Sequence, residues 1–151
     1  MPESIGSAPD NLFGRFPRPP CAELLGLTLL DHNPAQGWAK FSFEGRAEFL
    51  NPAGFIQGGI LAAMLDDTMG PTALLVSGGT IFTATINLNV SFFQPAKPGR
   101  LFAEGRVLHM GKTIAFMEAT ISDAGGTKLA SATGSARVVP VDKLPPSQSR
   151  G

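Results

Sequence analysis

The sequence predicts an α+β domain in which one long buried helix is wrapped by a curved antiparallel sheet. Three observations carry that reading. Gly58–Val76 is apolar almost all round, as a helix enclosed by other elements must be. Thr80–Gln94 alternates strictly, with Phe82, Ala84, Ile86, Leu88, Val90 and Phe92 on one face and hydroxyl or amide residues on the other. Three further strand patterns follow, joined by tight turns, and helix plus meander pack best as two layers. The 151 residues suit one domain.

The elements come in this order. Cys21–Leu27 follows Pro19-Pro20 and stops near Gly26, which predicts a short helix. Gly37–Leu50 holds short alternating runs, Trp38, Lys40 and Ser42 opposite Ala39, Phe41 and Phe43, and predicts a hairpin turning near Glu44-Gly45. The central helix and the long strand come next. After the PAKPG turn, Leu101–Met110 is a strand, Gly111-Lys112 a turn, and Thr113–Ser122 a strand. DAGG at 123–126 makes a hairpin into Lys128–Val139. Ala130, Ala132, Gly134 and Ala136 share one face of that last strand, which predicts close approach of another backbone. Of 13 prolines, five lie within 1–20 and three at 140, 145 and 146. Residues 1–18 are thus expected as a loosely packed extension, 19–140 as the domain and 141–151 as a flexible tail.

Composition excludes several classes of function. Twelve basic and twelve acidic residues cancel, so no basic face is expected for nucleic acid or an anionic membrane. The lone Cys21 gives no internal disulfide, and His32 and His109 are too few for a histidine-rich metal site, so no metal is expected. The start of the chain is acidic and lacks an apolar run, which predicts no signal peptide and a cytoplasmic protein. The central apolar tract is too interrupted, by two aspartates and Pro71, to read as a membrane span.

Charge is also unevenly placed. Charged residues make up 16% of the chain, against about 25% in a typical domain. Between Phe49 and Ala96 the only ionisable side chains are Asp66 and Asp67. A carboxylate is costly to bury without partners, so this pair marks the candidate site.

Asn51–Gly70 (NPAGFIQGGILAAMLDDTMG), the strand ending FFQPAKPG and the hairpin MGKTIAFMEATI together resemble the hotdog-fold acyl-CoA thioesterases of the phenylacetate-degradation type. The resemblance spans about residues 20–139. The family pattern N-x-x-G-x-x-H-G-G, with an acid nine positions after the histidine, is matched by Asn51, Gly54, Gly58, Gly59 and Asp66. It is broken at Gln57, which stands in the histidine position; an amide donates a hydrogen bond but does not titrate near neutrality. The family's hydroxyl on the following strand falls on Thr85. The resemblance implies an acyl-CoA substrate, no bound cofactor, and dimers that often pair again into tetramers.

The residues suit that chemistry. Gly58 begins the predicted helix, where N–H groups lack helical acceptors, and a missing Cβ lets a carbonyl approach. Asp66 is the expected nucleophile or base, its basicity raised by apolar surroundings; Asp67, about 100° further round, is expected as a structural or solvent-contacting neighbour. Asn51 is a candidate to orient water or the carbonyl, or a plain Asn-Pro turn residue. Thr85 is a candidate to bond the attacking water. Gln57 is a positioning candidate. Gly59, Lys97, Arg100 and Lys112 are weaker substrate-binding candidates, with Arg106 and Arg137 as further cations for the coenzyme phosphates. Met64, Met69, Phe92, Phe93 and Phe116 read as core, with some expected to line an acyl pocket.

Eight residues separate Gly58 from Asp66, a rise of about 12 Å along a helix, too far for both to reach one thioester. Two antiparallel helices from two subunits remove the conflict, so an obligate homo-oligomer with composite sites is expected. Two other readings remain open at this point. One is a non-catalytic acyl-CoA or ligand-binding protein, which Gln57 favours. The other is a 3-hydroxyacyl-thioester dehydratase, which the absence of histidine from residues 33–108 disfavours.

Overall fold

The computed structural model describes residues 18–144. Helix α1 (Pro20–Leu25) starts on proline, whose missing N–H costs nothing there, and ends at Gly26 with φ 72°. Strands β1 (Thr28–Asn33) and β2 (Trp38–Gly45) precede a 3-10 turn at Ala47–Phe49. Helix α2 (Gly58–Val76) leads into β3 (Ile81–Phe92), β4 (Gly99–Met110), β5 (Ile114–Asp123) and β6 (Lys128–Pro140). The six strands form one sheet in the order β1-β2-β4-β5-β6-β3, and every neighbouring pair is antiparallel. The α+β architecture expected from the sequence is the one observed.

The core lies between α2 and the concave face of the sheet. Ala39, Phe41 and Phe43 of β2 point into it with no exposed surface, as do Met64 and Leu65 of α2. The small residues are where the helix comes close. A Cβ on Gly105 of β4 would collide with Thr72 Oγ1, and one on Gly134 of β6 would lie 3.2 Å from Met69 Cε. Two buried threonines on α2 satisfy themselves by bonding back along the helix, Thr68 to the Met64 carbonyl at 2.7 Å and Thr72 to that of Thr68 at 2.6 Å. By length and composition α2 resembles a membrane span, but its buried side chains, Leu61 to Leu75, make it the core helix. Pro71 does not break it.

Three expectations need correction. The hairpin near Glu44-Gly45 does not form: β2 runs straight through, with Glu44 opposite Arg100 and Gly45 opposite Gly99. The turn lies upstream at residues 34–37, where the Asn33 side chain accepts the Gln36 N–H and Gly37 takes φ 79°, so the partner of β2 is β1. The alternating faces of β3 are broken by a bulge: Thr85 pairs with Ala136 and Asn87 with Ser135, leaving Ile86 unmatched. Thr83 and Thr85 before the bulge, and Leu88, Val90 and Phe92 after it, therefore share the face of the inward-pointing Ala136, Gly134, Ala132 and Ala130. Phe82 and Ile86 point away from the core, 48% and 60% exposed. Phe116, expected in the core, is also outside, 49% exposed beside His109.

The expected extensions fall mostly outside the described residues. Arg18 donates to the Leu27 carbonyl at 2.6 Å, and a 3-10 turn at Val141–Lys143 carries the folded chain past the expected boundary at 140.

Candidate active site

The loop before α2 is built by Asn51. Its Oδ1 accepts the N–H groups of Ala53 (3.0 Å) and Phe55 (3.1 Å), and its own N–H donates to the Phe55 carbonyl at 2.7 Å. Gly54, at φ 87°, closes this turn. The carbonyl of Asn51 is thus spent on the loop, leaving only its amide N–H groups for a ligand. Gln57 N–H bonds the Phe49 carbonyl at 2.8 Å and Ile56 N–H that of Ala96 at 2.8 Å, which fixes the direction in which the helix starts.

At that start the Gln57 carbonyl accepts from Ile60 and Leu61. The N–H groups of Gly58 and Gly59 come earlier than any helical acceptor, and the Gln57 side chain makes no cap bond to them. A Cβ on Gly58 would sit 3.4 Å from the Phe92 ring, whereas one on Gly59 would meet nothing within 4 Å. Beside Gly58 is a cavity of about 340 Å3, walled by Asn51, Phe55, Leu61, Phe92 and Phe93. The Gln57 side chain is exposed and is not part of that wall.

Two turns along the helix, Asp66 Oδ1 accepts a hydrogen bond from Thr85 Oγ1 at 2.8 Å. The bulge at Ile86 sets the two faces of β3 beyond it, while Thr85, just before it, points at the helix. The fold therefore brings Asp66 to Thr85 and Asn51 to Gly58, but holds the two pairs about 12 Å apart along one helix. Lys97 and Arg100 lie near the start of β4. Lys112 follows its far end, about 36 Å away along the strand, so one chain cannot gather all three.

A family model described as the thioesterase superfamily matches residues 53–130, just over half of the chain. The chain belongs to the thioesterase superfamily. This thioesterase is 33% identical over 103 residues to a provisionally named esterase of Saccharolobus solfataricus, covering 68% of this chain and 73% of that protein. The crystal structure of a phenylacetic acid degradation-related protein from Ralstonia eutropha JMP134 matches with a TM-score of 0.77 and 31% identity, over 85% of this chain and 96% of that one. The PaaI protein of the E. coli phenylacetic acid degradation operon shares the fold, with a TM-score of 0.69 and 23% identity over 78% and 86% of the two chains. Fold and enzyme class, a thioester hydrolase with a hotdog architecture, are thereby shown.

Asp67 of the thioesterase has an environment that sequence reasoning passed over. Its Oδ2 is fully enclosed and accepts no hydrogen bond among the described residues. Burial, and then the neighbouring Asp66 carboxylate, push its pKa up to about 6, while Arg18 pulls the other way. The rise expected for a carboxyl on this helix is thus found at Asp67. The Cys21 thiol is pushed up too, by loss of water first and then by Asp67 and Asp66. Adjacent residues on a helix look alike in sequence, and the folded surroundings separate them: Thr85 bonds Asp66, while Asp67 is enclosed. Phe92 and Phe93, expected in the core, are 52% and 50% exposed and wall the Gly58 cavity. Among the described residues no group of three or more His, Cys, Asp or Glu is placed to hold a metal.

Proposed function

We propose that this thioesterase hydrolyses an acyl-CoA in a composite site at a homodimer interface. Asp66 of one subunit is the base or nucleophile, and the N–H of Gly58 of the partner subunit is the oxyanion donor. The observation that carries this reading is the Asp66–Thr85 hydrogen bond of 2.8 Å, set two turns away from an uncapped helix start with an adjoining cavity.

The chemistry follows from the proton positions. Thr85 donates to Oδ1, which orients the carboxylate and leaves Oδ2 to take a proton from water or to attack carbon. In the first route hydroxide adds to the thioester carbonyl, the oxyanion forms against the helix N–H, and its collapse expels the coenzyme thiolate, which takes up the proton. In the second route Oδ2 forms an acyl anhydride as the thiolate leaves, and water then cleaves it. Either way the N–H must bond the developing oxyanion, a contact worth about 2.7–4 kcal/mol. Asn51 lines the same cavity as Gly58, which supports a role for its amide in orienting the carbonyl. Gln57 acts as a polar neighbour that takes no proton.

The acyl chain, aliphatic or aromatic, enters the cavity between Leu61, Phe55, Phe92 and Phe93. No metal or bound cofactor takes part in this scheme. The dimer forms along β3, whose outer edge has no strand beside it among the described residues, and pairing of dimers into tetramers is the next level of assembly. Cytoplasmic placement fits a coenzyme A ester as substrate.

Thiol release from a panel of aliphatic and aromatic acyl-CoAs tests the proposal, with Asp66→Asn beside the wild type. Release by the wild type and its loss in the variant are the expected results. Undiminished release in the variant would remove Asp66 from the chemistry. Binding of acyl-CoA without release from any of them would favour a ligand-binding protein, the reading that Gln57 supports. Water addition or loss on 3-hydroxyacyl or enoyl thioesters would favour the dehydratase.

A further inference from the structure

The ring of Phe92 stands beside the start of α2, and the chemistry above uses it only as a wall. Its far edge, Cε1 and Cζ, lies 3.4 Å from the position that a Cβ on Gly58 would take. Both residues line the cavity of about 340 Å3 next to the helix start. We infer that Phe92 is a specificity-determining residue: its ring tip discriminates against acyl groups branched at C2, the carbon next to the thioester carbonyl. The inference rests on the acyl-CoA reading above and on Gly58 as the oxyanion donor.

Distance decides which part of the substrate the ring meets. A carbonyl oxygen that accepts from the Gly58 N–H sits about 2.9 Å from the nitrogen. C2 is two bonds from that oxygen, so it lies no more than about 5 Å from the same nitrogen. A Cβ is also two bonds from its own nitrogen, so the ring tip, 3.4 Å further, comes within about 6 Å of it. Ring and C2 thus share one end of the cavity. Carbon atoms pack at about 3.5–4.0 Å. A CH2 at C2 leaves the ring in contact, whereas a methyl in place of one of its hydrogens needs the volume that the ring tip holds. Carbons further out are no longer tethered to the N–H and do not compete with the ring.

Backbone bonds fix the ring's place. The bulge at Ile86 turns Phe92 to the face of β3 that meets the helix; in an unbroken alternation it would share the outer face of Phe82. Directly after it, the N–H groups of Phe93 and Gln94 both donate to the Leu129 carbonyl, at 2.8 and 3.2 Å, which anchors the strand end. The loop that leads into Gly58 is tied to the chain just beyond, Ile56 N–H to the Ala96 carbonyl at 2.8 Å. The backbones that carry the ring and the N–H are therefore held at one separation. Both belong to one chain, so the discrimination does not depend on which subunit supplies Asp66.

Phe93 is the natural comparison. It is as exposed as Phe92 and lines the same cavity, yet the three atoms nearest the Gly58 Cβ position all belong to Phe92. A role in filling the cavity would be shared by the two rings. A role at C2 belongs to Phe92 alone.

The test compares two isomeric esters, butyryl-CoA and isobutyryl-CoA, which hold the same atoms and differ in the branch at C2. The readout is the change in the ratio of their kcat/KM values between proteins, because the intrinsic reactivities of the two esters then cancel. Phe92→Ala should lower the preference for butyryl-CoA about tenfold, the low end of what an apolar pocket gains from one methylene. Phe92→Leu, which keeps an apolar side chain without the ring tip, should lower it by less and stands in if Phe92→Ala does not fold. Phe93→Ala should leave the ratio unmoved. An unmoved ratio in the Phe92 variants, whether or not both rates fall, would overturn the inference, and so would the same shift in Phe93→Ala. Failure of the whole acyl-CoA panel would sink the functional reading instead. If the wild type cleaves neither isomer, calorimetry of both against the wild type and a Phe92 variant still decides the role of the ring. A preference for butyryl-CoA that the variant loses would support it; equal affinities, or no binding of either, would overturn it.

Discussion

The sheet has two edges, and they are unlike. β1 is six residues long, carries Asp31 and His32, and is bulged between Leu29 and Asp31. Asp31 even folds its carboxylate back onto the next N–H, at 2.8 Å. Short, charged and irregular edges resist pairing with another chain. β3 runs for twelve residues without one charged side chain and leaves Phe82 and Ile86 exposed. The same sheet thus has one blunted edge and one open to a partner, and the open one carries Thr85, the hydrogen-bond donor to Asp66. On the proposed function, candidate catalytic group and assembly surface share a strand, so disturbing one edge should matter far more than disturbing the other.

The largest effect is expected from a charge on the open edge. Ile86→Lys should convert the oligomer to monomer and lower kcat/KM about a thousandfold or more, read by light scattering and thiol release. Being a surface change, it should cost the monomer's own stability only about 0.5 kcal/mol. His32→Lys on β1 is the control, with molar mass unchanged. Asp66→Asn separates chemistry from assembly: kcat should fall about a thousandfold while the molar mass stays that of the wild type. Thr85→Val comes next. It removes one charge-assisted bond and should lower kcat about tenfold to a hundredfold, again without dissociation.

The smallest effect concerns stability and sharpens the contrast between the paired acid and its unpaired neighbour. Asp67 titrates at 3.8 in an unfolded chain and at about 6 in the fold. Its protonated form therefore favours folding: that contribution is complete below about pH 4 and is lost as pH rises through about 6. A fully buried group with this shift would account for about 3 kcal/mol, and partial exposure reduces that to about 1 kcal/mol. Asp67→Asn should stabilise the protein by this amount at neutral pH and flatten the slope of stability between pH 4 and 6. Urea denaturation across that range is the measurement.

Much of the fold could be read from local pattern. The tract Gly58–Val76 is helical from end to end because apolar residues on every side leave no other element to match it. The strands after it announce themselves by alternation and by glycine turns. β1 escaped because TLLDHN has no alternation, and its place is set by the turn at Asn33–Gly37. The hairpin expected at Glu44-Gly45 failed for a related reason: those residues look like a turn, but β4 supplies cross-strand partners for both. At the site, Asp66 stood out because charge is scarce around it. Its bond to Thr85 joins residues nineteen apart, and it depends on how β3 lies against the helix. Asn51 is both the turn former and the cavity liner, roles that sequence could name but not combine.

A two-residue repeat behaves like a wave, and Ile86 inserts half a period into it. Upstream, the crests facing the helix are hydroxyls; downstream, they are Leu88, Val90 and Phe92. One strand can in this way turn hydroxyls toward Asp66 and, further on, apolar side chains toward the core, with Phe92 walling the Gly58 cavity, without changing partner strand. Reading-frame arithmetic follows. Deleting Ile86 itself would remove the extra residue and keep the register on both sides, whereas deleting one residue elsewhere in β3 would turn every side chain on one side of the cut to the other face.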